Sequence, residues 1–182
     1  IESELGVSPP ELLVEFWGQC GSGYFGNNDL YFFGTDYALP RDTFLGWNSK
    51  SFWRRIYPPP KNGGPVFFAE NSFGEQIGFR WDRGQCVIVL FVIDTYEAFV
   101  LSHGMKDLFD RVLVDRYALV ERDRLDGVES LLGALPSGKH FAPILSPLLG
   151  GTGHPSNFAI ETPNVHFRTA VATYDGDRSA KA

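Results

Sequence analysis

The chain has 182 residues, of which 43% are hydrophobic, enough for one domain with a single substantial core. Sixteen basic residues against 22 acidic ones give a formal net charge of -6 and a pI near 5.2. That balance argues against general binding to phosphate backbones, which needs clustered Lys and Arg. No apolar run approaches the roughly 20 residues of a spanning helix, so no membrane partner is expected.

Residues 1–18 open with Ile1 and Leu5 one helical turn apart, followed by Gly6 as a stop. Ser8-Pro9-Pro10-Glu11 reads as a capped helix start, and Leu12, Leu13, Phe16 and Trp17 form its apolar stripe, predicting a helix over 9–18. The chain begins at Ile1 and shows no signal peptide, although a trimmed N-terminus would hide one. Gly21, Gly23 and Gly26 match a dinucleotide-type glycine spacing, but they follow a helix and precede the strand-like Leu30–Phe33. A flexible turn is the reading there.

Arg41 to Tyr57 is expected to be helical in part, carrying the adjacent pair Arg54-Arg55, until Pro58-Pro59-Pro60 ends it. The stretch from Pro65 to Asp94 organises the chain. Val66–Phe68 is apolar, Glu70-Asn71-Ser72 interrupts it, and Ile77, Phe79 and Trp81 alternate with Gly78 and Arg80 as a strand with one buried face. Phe79 and Trp81 are assigned to the core. Asp82-Arg83-Gly84 predicts a tight reversal. Cys86 to Ile93 is uniformly apolar, as in a central strand covered on both faces. Tyr96, Phe99 and Leu101 extend an edge element.

Ser102 is predicted to cap a helix over 103–115 with Met105, Leu108, Phe109, Val112 and Leu113 on its buried stripe. Arg122 to Leu135 reads as another helix. The proline- and glycine-rich residues 139–163 predict an ordered loop, and Asn164 to Tyr174 alternates like a late strand. Residues 175–182 read as a frayed, flexible tail. Cys20 and Cys86 do not make a disulfide framework, and both are expected to be reduced in a cytosolic setting.

No chemical motif is concentrated anywhere. His103, His140, His154 and His166 contain no HExxH or i,i+4 pair, and a site built from His140, His154 and a carboxylate would have to be assembled by the fold. No nucleophile elbow or Walker loop is present. Glu70, Glu75, Asp82 and Asp94 lie along the central strands, where carboxylates mark turns and favour solvent. Paired across a cleft they would instead serve a carbohydrate-active enzyme. Phe79-Arg80-Trp81 and Trp53-Arg54-Arg55 have the look of a base-stacking surface, but the acidity and the absence of any RNP or KH signature count against it.

Ile1, Glu4, Leu5, Gly6, Pro10, Leu12, Leu13 and Phe16, then Gly21-Ser22-Gly23, the run VFFAENSFGEQIGF over 66–79, the strand ending at Asp94, and Met105, Leu108 and Phe109 together resemble the SUKH superfamily. That group includes the yeast cell-wall-synthesis regulator and many bacterial toxin-immunity proteins. The likeness covers about residues 1–115, and Pro136-Ser137-Gly138 with Leu149-Gly150-Gly151 resembles the C-terminal extension of some bacterial members, over about 136–174. It implies an α+β fold, a single domain over 1–174 with helices around a curved, mostly antiparallel sheet. It implies a cytoplasmic antitoxin, without catalytic residues or cofactor, that occludes the active site of a cognate toxin domain such as a nuclease or deaminase. The alternative is a regulatory or adaptor module of the same fold. Partner-contact candidates, chosen as aromatic or arginine anchors and acidic neighbours, are Trp47, Trp53, Arg54, Tyr57, Glu70 and Glu75.

Overall fold

The computed structural model describes residues 5–26, 28–35, 43–49, 64–115 and 117–180. Glu11–Cys20 forms α1, starting one residue after Pro10. Pro10 has a rigid φ and its carbonyl accepts from the amides of Leu13 and Val14, so the helix begins without a side-chain cap and the Ser8 box does not form. Then come β1 (Gly23–Phe25), β2 (Leu30–Phe32) and the short helix α2 (Phe44–Trp47). The Thr43 hydroxyl caps α2 by accepting from the Gly46 amide at 3.0 Å. Most of the remaining segment expected to be helical, up to Tyr57, lies outside the described residues.

The central stretch supplies β3 (Val66–Asn71), β4 (Gln76–Asp82), β5 (Gln85–Val92) and β6 (Glu97–Ser102). With β1 and β2 they make one open, six-stranded antiparallel sheet in sequence order. The β4–β5 reversal is closed at Asp82↔Gln85, with positive φ at Arg83 and Gly84, the geometry of a hairpin turn that matches strand twist. Cross-strand neighbours share a face. One face carries Phe32, Ile77, Phe79 and Ile88, and the other carries Gln76, Val87, Val89 and Phe91. All eight are buried, so the sheet is covered on both sides at its centre. Trp81 is a correction: it is 46% exposed, because it sits at the hairpin end beyond the covering helices, and its indole N–H donates to the Ser8 carbonyl.

On the first face, Phe16 of α1 meets Phe32 and Phe109 at ring-centroid distances of 4.5 and 5.3 Å. Phe109 belongs to a helical turn that begins as α3 (Met105–Asp107) and widens into a π-turn over Leu108–Val112. Ser102 does not cap it: that residue ends β6, and its hydroxyl donates to the Gly104 carbonyl. Intrahelical pairs Lys106–Asp110 and Arg111–Asp107 line its solvent side.

The second face is covered by the C-terminal helix α5 (Pro163–Ala180), whose Phe167 meets Trp47 of α2 edge-on at 5.6 Å, while Phe44 of α2 stacks near Phe79 on the first face. Here the sequence reading is corrected twice. Residues 164–174 are helix rather than strand, and the helix runs on to Ala180 where a frayed tail was expected. Thr162-Pro163 opens it: Pro163 takes the first helical position, and Thr162 accepts from the His166 and Val165 amides. Its buried stripe is His166, Phe167 and Ala170 at helical spacing.

Residues 139–163 are a second correction in kind, since they contain the hairpin β7 (His140–Pro143) and β8 (Phe158–Glu161). The helix predicted from Arg122 ends as α4 (Arg122–Leu132) at Gly133. Between α4 and this hairpin lies a second, smaller core of Phe73, Leu125, Val128, Leu135, Phe141 and Phe158. Both cysteines are free; burial pushes the Cys86 thiol up to about 11. No helix among the described residues is long and apolar enough to cross a membrane.

Candidate functional site

A chain of buried polar side chains threads between the sheet's second face and α5. It starts at Trp47, whose indole N–H donates to Gln76 Oε1 at 2.7 Å. Gln76 Nε2 donates to Glu70 Oε2 at 3.0 Å and to the Gly74 carbonyl at 2.9 Å. The other Glu70 oxygen lies 3.1 Å from His140 Nε2. His140 Nδ1 lies 3.3 Å from His166 Nδ1, and His166 Nε2 lies 3.0 Å from Asp94 Oδ1. The six residues come from α2, β4, β3, β7, α5 and the turn between β5 and β6, and all are buried.

The proton count in this chain is informative. Asp94, His166, His140 and Glu70 make three successive contacts, whereas two neutral imidazoles carry only two N–H groups. With His166 donating to Asp94 and His140 donating to His166, His140 Nε2 is left as a lone pair beside Glu70. That nitrogen indeed makes no aligned hydrogen bond despite its 3.1 Å approach. A third proton would be needed to close the chain. Neither ring nitrogen of His166 is left over for an incoming substrate.

Beside this chain, Asn71 holds the β3–β4 turn. Its side-chain oxygen accepts from the Phe73 and Glu75 amides at 3.0 Å each, and its amide donates to Glu75 Oε2 at 2.7 Å. The polar interruption at 70–72 is thus a turn that closes on itself. Glu75 also meets Arg124 at 3.3 Å, and the Arg124 guanidinium lies 3.8 Å over the Phe73 ring. Burial raises the Glu75 pKa, against the opposing pull of Arg124 and Asn71.

Gly74 sets the spacing of the two imidazoles. Its φ is +74°, and a Cβ there would lie 2.6 Å from His140 Nδ1 and 2.9 Å from His166 Nδ1. Gly74→Ala is therefore expected to destabilise the fold by about 2–3 kcal/mol, combining backbone strain with overpacking. Gly84→Ala has a similar φ of +82° but open space around it, and should lose only the strain, about 1 kcal/mol. Equal losses in urea unfolding would contradict the steric role.

A cavity of about 340 Å³ adjoins the Asp94 end of the chain. Its walls come from β7 and the loop after it (Ala142–Ser146, Leu149), from β8 (Ala159, Glu161) and from α5 (Val165, His166, Thr169, Ala170, Thr173). Four of these side chains, Ile144, Leu145, Leu149 and Val165, are exposed apolar groups, with Ile144 at 67% and Leu149 at 60%. The loop carrying three of them is tightly folded: a Cβ at Gly151 would fall 1.8 Å from the Leu145 carbonyl oxygen. Among the described residues no group of three or more His, Cys, Asp or Glu side chains is arranged to hold a metal ion.

The residues chosen from sequence fall differently. Trp47, Glu70 and Glu75 are buried, the first two as members of the polar chain and the third as partner of Arg124 and Asn71, so as placed they present little surface to a partner. Trp53, Arg54 and Tyr57 lie outside the described residues. His140 does meet a second histidine, but this is His166, while His154 stays exposed on a 3₁₀ turn. His166 and Glu161 were passed over. The signal that could have found His166 was Thr162-Pro163, a cap followed by proline, which places it in the first turn of a helix.

No family model and no curated protein matches the chain. Among solved structures, it is similar to the crystal structure of Atu4351 from Agrobacterium tumefaciens, with a TM-score of 0.60 at 14% identity, over 89% of this chain and 75% of that one. At that identity the likeness speaks for a shared fold.

Proposed function

We propose that the chain is a non-catalytic immunity protein of the SUKH type, which neutralises a cognate toxin domain in the cytoplasm by covering its active site. The observation that carries this reading is the cavity beside Asp94, acidic inside and ringed by the exposed apolar side chains Ile144, Leu145, Leu149 and Val165. Exposed apolar side chains gathered around one cavity and rimmed by polar groups suit a protein-contact surface. The buried titratable groups favour the same reading, because His140, His166 and Glu70 are engaged with one another rather than turned toward a substrate. An open antiparallel sheet flanked by helices is also the architecture that the sequence resemblance implies.

The net charge of -6 would speed association with a basic toxin. The test is co-expression with toxin domains from the same strain. Growth should be rescued against one of them, and Leu149→Asp, at an exposed position, should abolish rescue while leaving the fold intact. Rescue that survives both Leu149→Asp and Ile144→Asp would move the interface elsewhere. Absence of any toxicity to neutralise, with a regulatory protein bound instead, would favour an adaptor of the same fold.

A further inference from the structure

We infer that the cavity beside Asp94 receives a basic side chain, an arginine or lysine projecting from the bound protein, with its cationic head at Asp94 and its aliphatic stem along the walls. The source of the cation rests on the reading just given; the cavity's preference for a cation does not.

The walls are the first argument. Asp94 and Glu161 both line the cavity, and no lysine or arginine does among the described residues. An anionic ligand would meet two carboxylates, and His166, the basic side chain that lines the cavity, already has its Nε2 at Asp94 and its Nδ1 at His140. Around them stand Ala142, Leu149, Val165 and Ala170, which suit a stem of methylene groups. A volume of about 340 Å³ is at the small end of ligand cavities, fitting one long side chain better than a bulky cofactor.

The state of Asp94 is the second argument. It is only 7% exposed, and it accepts one protein hydrogen bond, at Oδ1 from His166. Its Oδ2 has no donor among the described residues. A carboxylate has acceptor capacity for several donors, and at this oxygen that capacity faces the cavity rather than the sealed core. A guanidinium or ammonium entering the cavity supplies both the missing donors and the missing charge. Thr169 and Thr173 on α5 offer hydroxyl acceptors along the same wall. Ile144 and Leu149 at the rim would then pack against the surface from which the side chain projects.

The experiment titrates the isolated chain with agmatine, N-acetylarginine methylamide and the neutral analogue pentylurea, followed by amide chemical shifts. Both cations should perturb residues around Asp94, Glu161 and Thr169, with pentylurea about tenfold weaker. Asp94→Asn, which keeps an acceptor for His166, and Glu161→Gln, at a half-buried position that would not threaten folding, should each weaken agmatine by about fivefold or more. Equal affinity for pentylurea, indifference to both substitutions, or no binding of any probe would overturn the inference. Binding of agmatine without N-acetylarginine methylamide would overturn its assignment to a side chain. A chain that binds the arginine probe yet rescues no cell keeps this inference while the immunity reading falls, and rescue without probe binding does the reverse.

Discussion

His166→Ala is expected to lower unfolding stability by about 3–5 kcal/mol, the range seen when one partner is removed from a buried charged contact. The imidazole touches both Asp94, at 3.0 Å, and His140, at 3.3 Å, so one truncation takes the hydrogen-bond donor from a buried carboxylate and breaks the chain that runs on through His140 to Glu70. For a chain of this size the loss corresponds to about 10 °C in Tm. His154→Ala is the control, since that ring is exposed and bonds only to neighbouring residues within its own turn; it should change stability by less than about 0.5 kcal/mol. Thermal and urea unfolding of the two variants side by side decide the matter. If they unfold alike, the buried polar chain is not holding α5 to the sheet.

Glu75→Ala should cost about 3 kcal/mol, because it strips Asn71 Nδ2 and Arg124 of a buried acceptor and opens a hole beneath the β3–β4 turn. Glu75→Gln should cost less and should reveal a pH dependence of definite sign. Burial raises the Glu75 pKa in the folded chain above its ordinary 4.5. Between that ordinary value and the raised one, the folded state holds more protons than the unfolded state, so stability falls as pH rises through this window. The glutamine variant lacks the ionisation. Its deficit relative to the native chain should therefore be largest below about pH 4.5 and shrink as pH rises. Urea unfolding of both proteins across that range provides the measurement. A deficit that grows with pH would mean that the attraction of Arg124 outweighs desolvation at this site.

The central sheet was legible because its signals are local. Val66–Phe68, the alternation from Ile77 and the uniform run Cys86–Ile93 became β3, β4 and β5, and Asp82-Arg83-Gly84 became their hairpin. The C-terminal third was misread for a physical reason. Val165, Phe167, Thr169 and Val171 alternate by chemistry, but Phe167, Ala170 and Tyr174 recur at helical spacing, and packing against Trp47 and Tyr96 selects the second pattern. The proline-rich 139–163 concealed β7 and β8 because each has only four residues, too short to show a period. Glu70 and Trp47 read as contact residues because carboxylates and indoles are usual at interfaces. Only the fold shows that each has a buried partner, Gln76, standing 6 and 29 residues away respectively. The site itself was the least legible, since Asp94 and His166 meet across 72 positions with no motif to announce them.

That separation bears on the order in which the molecule is completed. As the chain leaves the ribosome, β1 through β6 emerge well before His140 and His166, so Glu70 and Asp94 must wait in water for partners not yet synthesised. The sheet can form its ladder early from neighbouring strands, a low-separation meander that pairs quickly. Its second face is sealed only when the hairpin and α5 arrive and the two imidazoles seat themselves around Gly74. Helix α5 acts as a clasp: nascent chains stopped ahead of Pro163 would leave Trp47 and Tyr96 open to chaperones, and the emergence of α5 is the event that seals the formed sheet.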